Sequence, residues 1–296
     1  MARHAYLLLV HKNPRQVARL VRLLDFPGND IYIHVDRKAR GFHPSLFAVN
    51  HAALHFIEPR LSVNWGGVSG MKSELALLKA AVANGPYDYY HLLSGQDLPI
   101  KTQQEIHAFF EANKGKEFLN LWTIDDSARS RHELITLFPE GEGKFYLHAI
   151  NKAFKKIQKL AGYKRRPTAE IKFGSNWFSI THALAAYTLQ QERWLLDTFG
   201  HTNNCDELFL STVVWNSPFR EKLYVPGESA HTESNLSFMR YIDWTRPGCV
   251  RHPWTFRKGD FNKLMNVPHL WARKFDEKVD DEIIDLVYNE IKRRQQ

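Results

Sequence analysis

The chain has 296 residues, 44% of them hydrophobic and 13% aromatic, which is enough apolar material for a packed core and excludes a chain that stays disordered. Forty Lys and Arg against 32 Asp and Glu leave a formal charge of +8, which favours anionic partners such as phosphates, acidic glycans, nucleic acid or an anionic membrane face. Cys205 and Cys249 are too few for a disulfide framework or a cysteine-rich zinc site, and the first apolar run, residues 6–10, falls far short of the roughly 20 residues that span a bilayer, so a cytoplasmic protein is expected.

In chain order, residues 6–10 predict a buried strand, and Val17, Leu20, Val21 and Leu24 then recur at helical spacing. Residues 31–35 and 54–57 predict two more strands. Met71, Leu75, Leu78 and Val82 mark one face of a helix that Asn84, Gly85 and Pro86 close. A fourth strand follows at 89–93. This alternation predicts an α/β fold with a parallel sheet and crossover helices. Ligands of such sheets bind beyond the carboxyl ends of the strands, so His11, Asp36, Ser94 and Asp97 are the residues to inspect, although Asp and Ser are also ordinary turn formers there.

The second half is less regular. Residues 152–166 carry seven basic residues and no acidic one, with Phe154, Ile157 and Leu160 three apart. That pattern predicts a basic amphipathic helix, readable as a contact with an anionic membrane or as a solvated face over a small apolar stripe. Residues 208–215 predict an apolar helix with Glu207 at its start, where the helix dipole favours an ionised acid. A last helix is expected over 281–294, with Ile284, Val287, Tyr288 and Ile291 on its core face. No linker or repeat interrupts the chain. One continuous domain is expected, with a nucleotide-binding half to about residue 125 and an acceptor and catalytic half after it.

The chain has no Walker phosphate loop, no Gly-x-Ser-x-Gly elbow, no His-Glu-x-x-His helix and no Gly-x-Gly-x-x-Gly fingerprint. It also lacks any Asp-x-Asp, the pair with which many nucleotide-sugar enzymes hold a divalent ion on the diphosphate. Fixed cations are the substitute that a departing diphosphate would need. Trp177 and Trp244 could offer faces to sugar rings, whereas Trp65 reads rather as packing. Gly66, Gly67 and Gly70 precede a helix and could lend backbone N–H groups to a phosphate, or simply form a flexible turn.

Seven segments occur in one order: IYIHVD (31–36), WGGVSGMKSELALL (65–78), YYHLLSGQDLPIKT (89–102), GSNWF (174–178), DELF (206–209), RYIDW (240–244) and ARKFD (272–276). Together they resemble the core-2 and I-branching N-acetylglucosaminyltransferases and peptide-O-xylosyltransferases, glycosyltransferase family 14. The resemblance implies a GT-A fold and an inverting, metal-independent sugar transfer with no cofactor beyond a UDP-sugar donor. It places the catalytic base on Glu207, the uridine contact on Asp36 and the diphosphate contacts on Arg251 and Lys274, with Arg257, Lys258 and Arg273 as neighbouring candidates. It also matches Trp244 to an acceptor-contacting tryptophan; Ser175 and Trp177, from GSNWF, complete the expected acceptor set.

The expected acceptor is a glycan or lipid-linked saccharide, because the chain shows none of the anchor, stem and disulfides of the animal members. No nucleic acid is expected as a partner, and a peripheral contact with the inner face of an anionic membrane is left open, as is the oligomeric state. The competing reading is a noncatalytic binder of anionic glycan or nucleic acid.

Overall fold

A computed structural model describes residues 2–123, 126–141, 143–228, 235–249 and 252–295 of the chain. Strands β1 (His4–Val10), β2 (Asn29–Val35), β3 (Ala53–Phe56) and β4 (Tyr89–Ser94) form a parallel sheet in the order β3-β2-β1-β4. Helices α1 (Pro14–Leu24) and α2 (Val68–Asn84) are the crossovers. The α/β class expected from the apolar alternation is what the chain forms.

Because successive strand residues face opposite sides, β1 feeds two cores. Ala5 and Leu7 pack with Met71, Leu75 and Leu78 of α2, while Tyr6, Leu8 and Val10 pack with Val17, Leu20 and Leu24 of α1. Each such fully buried side chain contributes about 1.5–3 kcal/mol of apolar transfer. The last helix of the chain, α10 (Asp281–Gln295), joins the α1 side through Ile283, Ile284, Val287 and Ile291, with Tyr288 partly buried.

Strands from the later sequence complete both sheets. A short β6 (Ser179–Thr181) runs antiparallel beside β4. A second sheet pairs β5 (Asp97–Pro99) with β8 (Trp271–Arg273) and β8 with β7 (Arg240–Ile242), opposing Asp97 to Arg273. Arg240, the first residue of RYIDW, is fully buried and donates to the carbonyls of Leu92, Phe178 and Phe238 at 3.0, 2.6 and 2.6 Å. It ties the two sheets together, adding a side-chain donor from β7 to backbone carbonyls at β4 and beside β6.

The connection from β5 to β6 holds α3 (Gln103–Ala112), capped by Thr102 and Glu105 acting reciprocally, then α4 (Asp126–Glu133) and α5 (Phe145–Leu160). Helices α6 (His182–Gln190), α7 (Glu192–Phe199), α8 (Phe209–Trp215) and α9 (Phe261–Asn266) complete the described set. The basic helix lies one to two turns earlier than its charge run suggests. Its orientation, which the sequence leaves open, divides the apolar trio: only Phe154 turns inward, while Ile157 and Leu160 are 60% and 80% exposed.

Candidate active site

The parallel register decides what meets at the strand ends. Val10 stands opposite Val35 and Leu9 opposite Ser94, so His11, Asp36 and Ser94 emerge at the same edge. The backbone N–H of Asp36 donates to the Val10 carbonyl at 2.8 Å, and its Oδ1 accepts the Lys38 backbone N–H at 2.8 Å. A cavity of about 320 Å³ opens between these strand ends, lined by His11, His34, Asp36, Lys38, Val63 and Trp65. Trp65 is 70% exposed and stands free in this mouth, contrary to its reading as a packing residue. No periodicity could have shown this, because Trp65 lies in a loop.

The β5–β8 pairing supplies cations to the same edge. Arg273 donates to Ser94 Oγ at 2.5 Å and to Asp97 Oδ2 at 3.3 Å, and its guanidinium lies 4.3 Å from the Trp177 ring centre. Asp97 is 1% exposed and Trp177 is 8% exposed, and both hold Arg273 in place. Ser94 shares that role. Ser175 is also spent internally: its N–H bonds Asn120 Oδ1 at 2.8 Å and its Oγ accepts from the Trp177 N–H at 3.2 Å. In this structure the Trp177 ring faces the Arg273 guanidinium, and the Ser175 hydroxyl is engaged with the Trp177 backbone. Trp244 packs, partly buried, against the core on the α2 side.

Lys274 follows Arg273 directly and is half-buried. Burial lowers its pKa, and the charges of Lys12 and Arg273 lower it further. The same cations act on His11, whose pKa falls through burial first and then through Lys12, against the opposing pull of Asp36, with Arg273 and Lys274 adding to the fall. A lysine and a histidine whose basicity falls among neighbouring cations mark a place suited to an anion. Arg251, the other cation assigned to the diphosphate, lies outside the described residues.

Glu207 sits in a single helical turn, Cys205–Glu207, ahead of α8, whose first residue is Phe209. It is thus not in the first turn of the helix, and the expected dipole support is replaced by an ion pair: Arg131 of α4 donates to Glu207 Oε2 at 2.6 Å. Arg131 has no sequence motif around it and was not foreseen. Two backbone bonds hold the turn, from Asn204 N–H to the Gly66 carbonyl at 2.8 Å and from Gly174 N–H to the Glu207 carbonyl at 2.9 Å. The first of them fastens the start of the turn to the loop that carries Trp65.

The glycines of that loop serve packing more than phosphate binding. Glu140 accepts the Ser69 N–H and hydroxyl, each at 2.7 Å, at the start of α2, and a Cβ on Gly67 would stand 2.5 Å from its carboxylate. A protein carboxylate already occupies a place where an anion could bind.

Behind Glu207, Asp206 and Glu74 are buried acids near one another. Burial, followed by the charge of Glu207, pushes the Asp206 carboxyl from 3.8 up to about 7. A raised folded-state pKa stabilises the protein at low pH, fully below about 4, and that contribution is lost as pH rises through about 7. Asp206→Asn should therefore leave the urea midpoint nearly unchanged at about pH 4 and raise stability at pH 8 by on the order of 2–4 kcal/mol, with the gain growing steadily between the two. Equal shifts at the two pH values would show that Asp206 is not held protonated.

Among the described residues, no group of three or more His, Cys, Asp or Glu stands together as metal ligands, and no helix is long and apolar enough to cross a membrane. The sheet order and the strand-end cluster define an α/β protein with its ligand crevice at the carboxyl edge of a parallel sheet.

The chain belongs to the Core-2/I-Branching enzyme family, whose model matches residues 4–265. It is 26% identical to xylosyltransferase 2 of Rattus norvegicus over 305 residues, covering 97% of this chain and 33% of the relative. With xylosyltransferase 1 of Canis lupus familiaris it shares 25% identity over 300 residues, covering 95% of this chain and 30% of the relative. The chain thus spans about a third of the length of these curated relatives. Among solved structures, mouse xyloside xylosyltransferase 1 in its apo form aligns with a TM-score of 0.34 at 11% identity, over 72% of this chain and 81% of that one.

Proposed function

We propose that the chain is a GT-A-type glycosyltransferase that moves a sugar of the N-acetylglucosamine or xylose class from a UDP-sugar to a hydroxyl of a glycan or lipid-linked saccharide, with inversion and without a metal ion. The observation that carries this reading is the gathering of His11, Asp36, Arg273 and Lys274 at one sheet edge, where His11 and Asp36 line a cavity shared with Trp65 and the two cations act on His11. Asp36 would accept hydrogen bonds from the uridine. Arg273 and Lys274 would face the diphosphate.

In the transfer, the acceptor oxygen attacks the anomeric carbon as the bond from that carbon to the diphosphate oxygen breaks on the opposite side. The electron pair leaves with the diphosphate, whose growing charge the two cations stabilise. The hydroxyl proton passes to Glu207, a single base being enough for one in-line displacement. Arg131 holds Oε2, and among the described residues Oε1 accepts no hydrogen bond, so Oε1 is the oxygen placed to take the proton.

A melting curve tests the reading against the noncatalytic alternative. Uridine diphosphate at about 100 times its Kd should raise Tm by about 4 °C, whereas heparin or DNA should raise it only in low salt. No shift with uridine diphosphate, together with a large one from the polyanions, would replace the enzyme with a binder of anionic polymers.

A further inference from the structure

Helix α5 is built inside out. Its buried contacts with the rest of the protein include two amides: Asn151 exchanges hydrogen bonds with the backbone N–H and carbonyl of Phe138 at 3.0 and 2.9 Å, and Gln158 does the same with Ile135 at 2.9 and 2.9 Å. Leu147 and Phe154 share that inward face and are partly buried. The large apolar side chains point away. Phe145 is 90% exposed, Leu160 80%, Tyr146 61%, Ile157 60% and Ile150 44%.

At about 100° per residue these five fall on one continuous arc of the helix, and Lys152, Lys155, Lys159 and His148 fall on the arc beside it, while Lys156 lies within the apolar edge. The helix therefore has three sectors: amides toward the protein, apolar side chains outward, and bases along one flank. Leu137 and Phe138 enlarge the outward patch at 40% and 43% exposure. Solvation alone would favour the opposite arrangement, since five exposed large apolar side chains on one helix are costly in water unless something covers them.

We propose that this face of α5 lies on an anionic phospholipid bilayer. The flank of lysines identifies the occupant: residues 144–166 contain no acid, so the charge complements a surface of negative headgroups while Phe145, Ile157 and Leu160 enter the acyl boundary. The geometry also links this surface to the crevice. A groove of about 660 Å³ along the lysine flank shares His148 with a space of about 600 Å³ that reaches Trp65, which in turn shares Trp65 and Lys38 with the strand-end cavity. A bilayer at α5 thus stands beside a run of neighbouring grooves that borders the crevice.

The test is co-sedimentation of the chain with vesicles of phosphatidylcholine alone and of phosphatidylcholine mixed with phosphatidylglycerol. The wild type should sediment with the mixed vesicles and stay in solution with the neutral ones. Ile157→Ser combined with Leu160→Ser, both at exposed positions, should weaken binding about tenfold or more with Tm unchanged. Lys156→Ala combined with Lys159→Ala should do the same. Arg193→Asp, an exposed change on α7, serves as the charge control and should bind like the wild type.

Wild-type indifference to phosphatidylglycerol would overturn the proposal, as would serine or alanine variants that bind like the wild type. So would a wild-type dimer in light scattering that the serine pair converts to monomer, because the occupant would then be a second copy of the chain.

Discussion

Glu207→Gln is expected to lower sugar transfer by about three orders of magnitude while leaving the uridine diphosphate melting shift within about 1 °C of wild type. The amide keeps the shape of the carboxylate and can still accept a hydrogen bond from Arg131, so the turn at Cys205–Glu207 should persist. What it cannot do is take up a proton. The loss should therefore fall on kcat, with donor affinity preserved, because donor contacts in this account belong to Asp36, Arg273 and Lys274. Equal losses in donor affinity and kcat would place Glu207 in the donor site instead. Turnover close to wild type would remove it from the chemistry.

Lys274→Ala is expected to weaken uridine diphosphate binding about 10- to 100-fold, the worth of one charge-assisted contact to a phosphate. Lys274 is the cleaner of the two cations to test. Arg273 also neutralises Asp97, which is 1% exposed, so Arg273→Ala would leave that buried carboxylate with the Ser94 N–H but without its ion pair and cost up to about 3 kcal/mol of stability alongside any binding loss. A Lys274→Ala protein with wild-type Tm and a wild-type Kd for uridine diphosphate, measured by calorimetry, would show that this cation does not face the diphosphate.

The strand-end residues were legible because buried parallel strands announce themselves as short apolar runs and their register follows from the sheet. His11 and Asp36 could be named from where those runs stop. Lys274 was reached only through its motif, since β8 is three residues long and too short to show a period. Several features could not be read. The partner of Glu207 comes from α4, 76 residues earlier, and no local pattern joins them. Trp177 has the composition of a sugar platform, but the Arg273 guanidinium stacks on its ring, a contact set by a strand nearly 100 residues away.

The basic helix shows a different limit. Its charge and its period were both visible, but the period alone did not say whether the apolar stripe turns inward or outward. The usual expectation that apolar residues turn inward fails at Ile157 and Leu160 because Asn151 and Gln158 find backbone partners at Phe138 and Ile135, which lets the amides bury without an unpaired polar group. A reading by hydrophobicity alone ranks those amides last for burial.

The measurement that bears most directly on the account is the rate of sugar transfer from a UDP-sugar in excess EDTA. If Arg273, Lys274 and their neighbours carry the charge of the departing diphosphate, the rate should match that in the absence of chelator, and added manganese should not raise it. A rate that collapses in EDTA and returns with manganese would contradict the claim that side-chain cations alone do this work.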